Sequence, residues 1–218
     1  MLRILTGNKI KEVDSLEFES IIKEYKALVI DIGTGEGEFI YKKARQDKEV
    51  MYIGIDTSAD SMLQYSVKSA KRPEKGGIKN IMFVVANAED LPDTLSNTAD
   101  KIFINLPWGS LRDGIIKGEH SFLSGIEKIA KENATLDIYV SYCGLYEKQE
   151  IENRQLPALT VSYLCNNLKA RYKKYGINIV HISVLDNEGL KKIETRWAKK
   201  LGYGKKRDVF YLKCKIQK

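Results

Sequence analysis

The strongest constraint on the fold is a short apolar segment, Ala27–Ile32, that runs directly into a glycine-rich loop at residues 33–37. Apolar runs of this length without polar alternation are typical of parallel strands that are buried on both faces. Similar runs follow along the chain, separated by segments with helical periodicity. This alternation predicts an α/β protein with a mostly parallel sheet and helices on both faces.

The predicted elements follow the order of a doubly wound sheet. A β-hairpin over residues 1–14 comes first, because Gly7 and Asn8 provide a turn between two apolar runs. A short amphipathic helix capped by Ser15 follows. The remaining pattern predicts strands over residues 27–32, 50–55, 81–86, 101–106, 134–142, 177–185 and 209–215, the last as an antiparallel edge strand. It predicts helices over residues 38–47, 58–72, 121–131 and 158–175.

Two irregular stretches interrupt this alternation, at residues 143–157 and 187–208. Because no linker rich in Pro, Gly or Ser divides the chain, we expect one domain over residues 1–218 that carries both stretches as insertions. Ligands of open parallel sheets bind beyond the carboxyl ends of the strands, and long connections there are commonly functional. The two insertions are therefore candidates for substrate recognition.

Charge is distributed unevenly along the chain. The 218 residues include 36 Lys and Arg against 29 Asp and Glu, which gives a net charge of +7. Residues 191–218 contribute +9, from eleven basic and two acidic side chains, and a basic segment at residues 68–79 contributes +4. A near-neutral body with a basic C-terminal segment indicates a polyanionic partner or, less specifically, a solubilising tail.

Composition argues against several classes of protein. No apolar stretch approaches the roughly 20 residues that a membrane helix requires, and the N-terminus lacks the apolar region of a signal peptide. Cys143, Cys165 and Cys214 are odd in number and far apart, as is typical of free thiols in a reducing cytoplasm. His120 and His181 lack metal-ligand spacing, so we expect no metal site.

Three consecutive strand ends carry the groups of a nucleotide site. Asp31 and Glu36 bracket a loop of GxGxG spacing, and this acidic setting favours a cationic ligand over a pyrophosphate. S-adenosylmethionine (SAM) has a suitable sulfonium and amino group. Asp56 ends the second strand, where a carboxylate can accept hydrogen bonds from ribose hydroxyls. Residues 86–90 end the third strand and can flank an adenine ring, so we expect SAM as cofactor.

The chain has two tryptophans, and both are candidates for stacking on a base. Trp108 ends the segment 105–108, which resembles the (D/N)PP(Y/F) element of methyltransferases acting on planar nitrogens. Trp197 lies among Lys and Arg in the second insertion, which suits a nucleic-acid surface. If both indoles border one pocket, they can hold a base flipped out of its stack. The alternative for each is an ordinary packing role.

Nearly the whole chain resembles the aminoglycoside-resistance methyltransferases that modify N1 of adenine 1408 in the decoding site of 16S ribosomal RNA. The resemblance rests on the segments IDIGTGEG, YIGID, KRPEKGG, ANAEDLP, LPWGS, NRQLP, LDNE, RWAKKL and GKKR. It implies a class I SAM-dependent methyltransferase fold, Rossmann-like, with a mostly parallel seven-stranded sheet and an N-terminal β-hairpin. It also implies that Trp108 and Trp197 are the catalytic residues that hold the flipped adenine.

The resemblance assigns further residues to two groups. The expected cofactor-binding residues are Asp31, Gly33, Thr34, Gly35, Asp56, Ala88, Glu89, Leu106, Pro107, Ser110 and Thr195. The expected RNA-binding residues are Lys68, Lys71, Arg72, Lys75, Glu147, Arg154, Lys200, Lys205 and Arg207. Arg occurs in the family at the positions of Lys200 and Lys205, where Lys keeps the charge but lacks the bidentate fork.

The resemblance implies an enzyme that acts on the assembled 30S subunit, as a monomer in the cytoplasm. A short chain has little surface for reading bases one by one, so recognition of shape and phosphates is the expected mode. Two alternatives stay open. One is a tRNA (guanine-N7)-methyltransferase, which shares the fold, and the other is an rRNA-binding assembly factor without catalytic activity.

Overall fold

The computed structural model describes residues 1–142 and 146–218, whose strands form one nine-stranded sheet. The strands are β1 Leu2–Thr6, β2 Lys9–Val13, β3 Ala27–Ile32, β4 Val50–Asp56, β5 Ile81–Val85, β6 Ala99–Asn105, β7 Ala130–Val140, β8 Ile177–Leu185 and β9 Val209–Ile216. The helices are α1 Ser15–Ile22, α2 Glu38–Gln46, α3 Ala59–Ser69, α4 Gly109–Lys117, α5 His120–Ile129, α6 Lys148–Asn153, α7 Val161–Tyr163, α8 Lys169–Lys173, α9 Asn187–Lys191 and α10 Arg196–Gly202.

The sheet has the strand order β2-β1-β5-β4-β3-β6-β7-β9-β8. Its centre, β3 to β7, is parallel throughout. The sequence predicts a seven-stranded sheet and an N-terminal hairpin, but the two hairpin strands join the sheet, which therefore has nine strands. β1 pairs antiparallel with β5, with Ile4 opposite Val84. The apolar face of β1 thereby continues the core beyond the edge of the parallel strands.

The prediction that the last strand lies at an edge is wrong. β9 pairs antiparallel with both β7 and β8, so β8 forms the edge. Leu212, Cys214 and Ile216 are fully buried, whereas Lys213 and Lys215 are exposed. This alternation shows which face of the strand is buried, but it carries no information on whether one or two neighbours pair with it.

Alternate residues of the central strands enter two apolar layers, one on each face of the sheet. On one face, Val29 and Tyr52 pack with the buried side of α2 and with α3. On the other face, Ile30 and Ile53 pack in a larger cluster that includes residues of α1, α5, α7 and α8. The predicted arrangement of helices on both faces is therefore confirmed, and it leaves the carboxyl ends of β3, β4 and β6 free to form a site.

The insertions contain helices that the sequence pattern does not predict. α6 lies in the first insertion, whose described residues begin at Tyr146, and α9 and α10 lie in the second. The long helix predicted over 158–175 is interrupted, because a π-helical turn at Leu164–Leu168 joins α7 to α8. Cys165 and Cys214 are free thiols, whereas Cys143 lies outside the described residues.

Within residues 1–142 and 146–218, no helix has the length and apolar content needed to cross a bilayer. In the same part of the chain, no three His, Cys, Asp or Glu side chains converge as a metal ion would require.

Candidate active site

A cavity of about 850 Å³ opens at the carboxyl ends of β3, β4 and β6. It gathers ten of the eleven residues predicted for cofactor binding, together with both tryptophans and Lys200. These ten are Asp31, Gly33, Thr34, Gly35, Asp56, Ala88, Leu106, Pro107, Ser110 and Thr195. The eleventh, Glu89, is exposed and is not among the residues lining this cavity.

The glycine-rich loop forms the floor of the cavity and depends on glycine at two close approaches. Gly33 has a φ of +73°, and a Cβ atom there would lie 2.7 Å from Leu111 Cδ2. Gly37 has a φ of +78°, and its Cβ atom would lie 2.3 Å from the Phe83 ring. A side chain at either position would be strained and would collide with a packed neighbour. At Gly33 the loop therefore presents bare backbone to the cavity.

Asp31 is the buried acidic group of the cavity, with 1% of its surface exposed. Its carboxylate accepts hydrogen bonds from Thr34 Oγ1 at 2.7 Å and from Asn105 Nδ2 at 2.9 Å. Burial nevertheless raises the pKa of the Asp31 carboxyl to about 7. Among the described residues, Asn105 Oδ1 is a buried acceptor without a hydrogen-bond partner. This pair can receive a ligand's cationic N–H group.

Asp56 holds the end of β4 against the glycine-rich loop. One carboxylate oxygen accepts from the Gly35 amide at 2.9 Å, and the other accepts from the Ser58 amide at 3.0 Å. A carboxylate has about four lone-pair sites, so both oxygens can still accept from the hydroxyls of a sugar. The backbone therefore orients the side chain before any ligand is bound.

The segment between β6 and α4 turns sharply at the mouth of the cavity. Leu106 and Gly109 have positive φ values of 51° and 60°, and they flank Pro107 and Trp108. A left-handed leucine is uncommon and costs conformational energy. Leu106 is retained there because its side chain is buried against the second insertion. The turn leaves Trp108 48% exposed at the start of α4.

The two indoles meet at the cavity, but they do not form parallel walls. The ring centroids of Trp108 and Trp197 are 5.8 Å apart, and the rings are inclined at 71°. A base stacked between parallel rings needs about 7 Å, because each stacking contact takes about 3.5 Å. The sequence-based sandwich therefore stays a prediction, and it requires one indole to rotate. In the described chain, Trp197 Nε1 is buried without a hydrogen-bond partner.

The second insertion closes one side of the cavity and packs on a small apolar cluster of its own. This cluster contains Leu106, Leu190, Ile193, Ala198 and Val209, with Trp197 packed against it.

Two ion pairs tie the same insertion to α2 and the glycine-rich loop. Glu194 contacts Lys43 at 2.6 Å, and Arg196 contacts Glu36 at 2.9 Å. Thr195, between them, accepts a hydrogen bond from the Ala198 amide and so caps α10. Its hydroxyl thus fixes the first turn of the helix that carries Trp197.

The first insertion is held by a network of charged side chains and by Leu156, which is buried in the larger apolar cluster. Arg112 of α4, only 1% exposed, donates to Asp113 at 3.3 Å and to Glu150 of α6 at 3.0 Å. Arg154 pairs with the same two carboxylates, at 2.9 Å and 3.3 Å. Asp113 thereby raises the pKa of the Arg154 guanidinium. Sequence reasoning missed Arg112, because nothing in the local pattern shows that α6 packs on α4.

The residues predicted to bind RNA occupy different environments. Arg207 contacts Glu147 at 3.4 Å, so two predicted RNA contacts of opposite charge are neighbours. Lys205 is exposed, with its ammonium 4.4 Å from the ring centroid of Tyr146. Lys200 is also exposed and lies over Trp197. Of these residues, Lys200 lines the cavity.

A second group of basic residues lies on the turn after α3. Lys71, Arg72 and Lys75 are exposed. A Cβ atom at Gly77 would lie 1.6 Å from the Lys71 carbonyl oxygen, so only glycine fits there.

Lys68 differs from these three, because its ammonium lies over the rings of Tyr41 and Tyr65, at 4.8 and 5.7 Å from their centroids. It therefore has a structural contact that the sequence did not predict.

The whole chain is similar to members of one protein family. A family model described as NpmA, 16S rRNA (adenine(1408)-N(1))-methyltransferase, matches residues 3–216. A relative from Escherichia coli, named 16S rRNA (adenine(1408)-N(1))-methyltransferase, is 39% identical over 216 residues, which are 99% of each chain.

Solved structures agree with this match. A 16S rRNA (adenine(1408)-N(1))-methyltransferase from Catenulisporales acidiphilia, solved as a tryptophan-to-alanine mutant with cosubstrate SAM, has a TM-score of 0.90 at 28% identity and covers 100% of this chain and 98% of its own. The aminoglycoside resistance methyltransferase NpmB1 has a TM-score of 0.85 at 30% identity, over 99% of this chain and 100% of its own. The chain thus belongs to the 16S rRNA (adenine(1408)-N(1))-methyltransferase family.

Proposed function

We propose that this protein transfers the methyl group of SAM to N1 of adenine 1408 in the 16S rRNA of the 30S subunit. The observation that carries the proposal is a single cavity in which Asp31 and Asp56 meet Trp108 and Trp197. Acidic side chains suit a cationic cofactor, and indole faces suit a planar base. Membership of the family supports adenine 1408 as the target.

The residues of the cavity fit SAM on the cofactor side. Asp31 and the free Oδ1 of Asn105 offer acceptors to an ammonium group. Asp56 is already oriented by two backbone amides and keeps lone pairs for ribose hydroxyls. When bound, SAM supplies an electrophilic methyl group on a positively charged sulfur. The chain's own contribution is to bind the cofactor beside the indoles.

The chemistry requires little acid–base help from the protein. Adenine N1 has an in-plane lone pair and is unprotonated at neutral pH, so it can form a bond to the methyl carbon as the carbon–sulfur bond breaks. The protein has to align the three atoms, which is an entropic contribution. The methylated base is cationic, and the faces of Trp108 and Trp197 stabilise positive charge by cation–π attraction.

Exposed basic residues support a substrate as large as the 30S subunit. Lys71, Arg72 and Lys75 lie together after α3, and Lys200 and Lys205 lie in the second insertion, where Lys200 lines the cavity. Such exposed charges bind phosphates without reading sequence. On this proposal the protein docks as a monomer on the assembled subunit in the cytoplasm. Methylation adds bulk and charge at N1, which opposes aminoglycoside binding and accounts for resistance.

Primer extension tests the proposal directly. We expect 30S subunits incubated with the protein and SAM to give a strong stop at adenine 1408, because methylation of N1 blocks base pairing. Subunits with guanine at position 1408 are the matched control and should give no stop. Radiolabelled methyl groups in bulk tRNA would indicate a tRNA methyltransferase instead. Absence of label in every RNA would indicate an assembly factor without catalytic activity.

A further inference from the structure

Arg112 is a buried cation that the proposed chemistry does not use. Only 1% of its surface is exposed, and its side chain is among the largest fully buried ones in the described chain. It lies in the first turns of α4, four residues after Trp108. Burial of a guanidinium carries a large desolvation cost, and an apolar side chain of similar size is often as stable. The presence of a charge there therefore calls for a specific function.

The guanidinium of Arg112 lies against the stacking residue of the active site. Its Cζ atom is 5.3 Å from the ring centroid of Trp108 and 5.8 Å from that of Tyr142. Both distances are within the range of cation–π attraction. Trp108 is 48% exposed and needs such support, because its strand ends before it and the turn leaves it at the mouth of the cavity. Because the guanidinium covers one face of the Trp108 indole, a base can stack only on the other face.

The orientation of Arg112 is in turn fixed by two carboxylates. Nε donates to Asp113 Oδ1 at 3.3 Å, and one terminal nitrogen donates to Glu150 Oε1 at 3.0 Å. Glu150 belongs to α6, so the first insertion takes part in holding the guanidinium. A planar fork can make both contacts and still present its face to an aromatic ring, which an ammonium cannot.

We propose that Arg112 is a positioning residue that fixes the plane of the Trp108 indole for base stacking, held in turn by Asp113 and by Glu150 of the first insertion. This inference rests on the proposed function only for its kinetic consequence. The orientation of Trp108 is a property of the protein alone, so it can be tested without RNA.

The first test uses fluorescence. Trp197→Phe leaves Trp108 as the single tryptophan of the chain. In that background we expect Arg112→Met to shift the Trp108 emission to longer wavelength and to raise its acrylamide quenching constant at least twofold. Lys117→Met, on the same helix, removes a cation that contacts Glu119 and should change neither property. Unchanged Trp108 fluorescence in Arg112→Met would overturn the proposal.

The second test uses kinetics in the otherwise native chain. We expect Arg112→Met to lower kcat for 30S methylation about 30-fold, with the KM for subunits and the Kd for SAM changed less than threefold. Arg112→Lys should recover part of kcat, and Lys117→Met should stay within twofold of the native protein. An equal loss of SAM affinity and kcat, or a kcat within threefold of native, would count against positioning.

The variants are chosen so that misfolding does not decide the result. In Arg112→Met, Asp113 and Glu150 both keep an ion pair with Arg154, so no carboxylate is left unpaired. If Arg112→Met does not fold, Arg112→Lys takes its place as the test variant. For Arg112→Lys we expect a smaller emission shift and about a fivefold loss of kcat. If the native protein does not methylate 30S subunits, the proposed function fails, whereas the fluorescence arm still tests the role of Arg112.

Discussion

The two insertions are held in different ways, and each supports one of the two indoles, the first through Arg112 and the second by carrying Trp197. In the first, Arg112 and Arg154 share Asp113 and Glu150, and Leu156 is buried in the larger apolar cluster. The second rests on an apolar cluster around Leu190. Two of its ion pairs are partly exposed, and its Arg207 pairs with Glu147 of the first insertion. Charged contacts are directional and fix orientation, whereas apolar contacts are non-directional and allow sliding. The first insertion is therefore suited to hold Trp108 still, and the second to let Trp197 move.

The largest expected effect concerns the apolar support of the second insertion. Leu190→Ala should lower the free energy of local opening of residues 187–208 by about 3 kcal/mol, because it removes a fully buried side chain from a small cluster. Hydrogen exchange followed by mass spectrometry measures this. Leu16→Ala, at a site 79% exposed, is the control and should have little effect. Equal loss of protection in α6 would show that the two insertions open together.

The next effect concerns the two indoles. Trp108→Ala and Trp197→Ala should each reduce methylation of 30S subunits about 100-fold, equivalent to about 2.7 kcal/mol of lost stacking in the transition state. SAM affinity, measured by calorimetry, should change less than threefold. A parallel loss of SAM affinity would assign the indoles to the cofactor rather than to the base.

A smaller effect concerns Asp31, which lines the cavity together with Thr195 of the second insertion. Because burial raises the pKa of Asp31 to about 7, the carboxylate that a cationic cofactor needs is lost as pH falls below that value. SAM affinity should therefore fall about tenfold per pH unit from pH 7 towards pH 5.5. Calorimetry across this range measures the slope. The Asp31→Asn variant should bind SAM weakly, and its SAM affinity should not depend on pH in this range. If the variant keeps the pH dependence, a group other than Asp31 is responsible for it.

The smallest effect is expected from the two partly exposed ion pairs that join the second insertion to α2 and the glycine-rich loop. Lys43→Gln combined with Arg196→Gln should reduce the protection of residues 187–208 by only about 0.5 kcal/mol, because pairs screened by solvent contribute little. Lys23→Gln removes a comparable exposed pair elsewhere and serves as control. A loss larger than about 1.5 kcal/mol would mean that ions, rather than the apolar cluster, hold the second insertion as well.

Strand ends could be predicted from the sequence because their chemistry is local. The acidic and glycine residues of β3 and β4 lie immediately after apolar runs, and parallel strands bring such ends together. Asp31, Asp56 and Trp108 were predicted as neighbours for this reason, and the structure gathers them at one cavity. Their roles stay predictions, as does that of Glu89, which is exposed and does not line the cavity.

Features that depend on tertiary packing could not be predicted in the same way. α4 was missed because it contains Gly114, and glycine disfavours helices. The structure explains this glycine, since its Cβ atom would lie 1.9 Å from the Phe122 ring. The contacts of Arg112 and Lys68 could not be predicted either. Arg112 donates to Glu150 of α6, and the Lys68 ammonium lies over two tyrosine rings. Long-range partners of this kind leave no trace in the spacing of neighbouring residues.

The central position of β9 has a consequence for folding. Among the described strands, β8 joins the sheet only through β9, which pairs with both β7 and β8. Val209 of β9 also belongs to the apolar cluster against which Trp197 packs. We therefore expect Trp197 to reach its place only once β9 has added to the sheet, so that the substrate-facing indole is among the last parts of the molecule to become ordered.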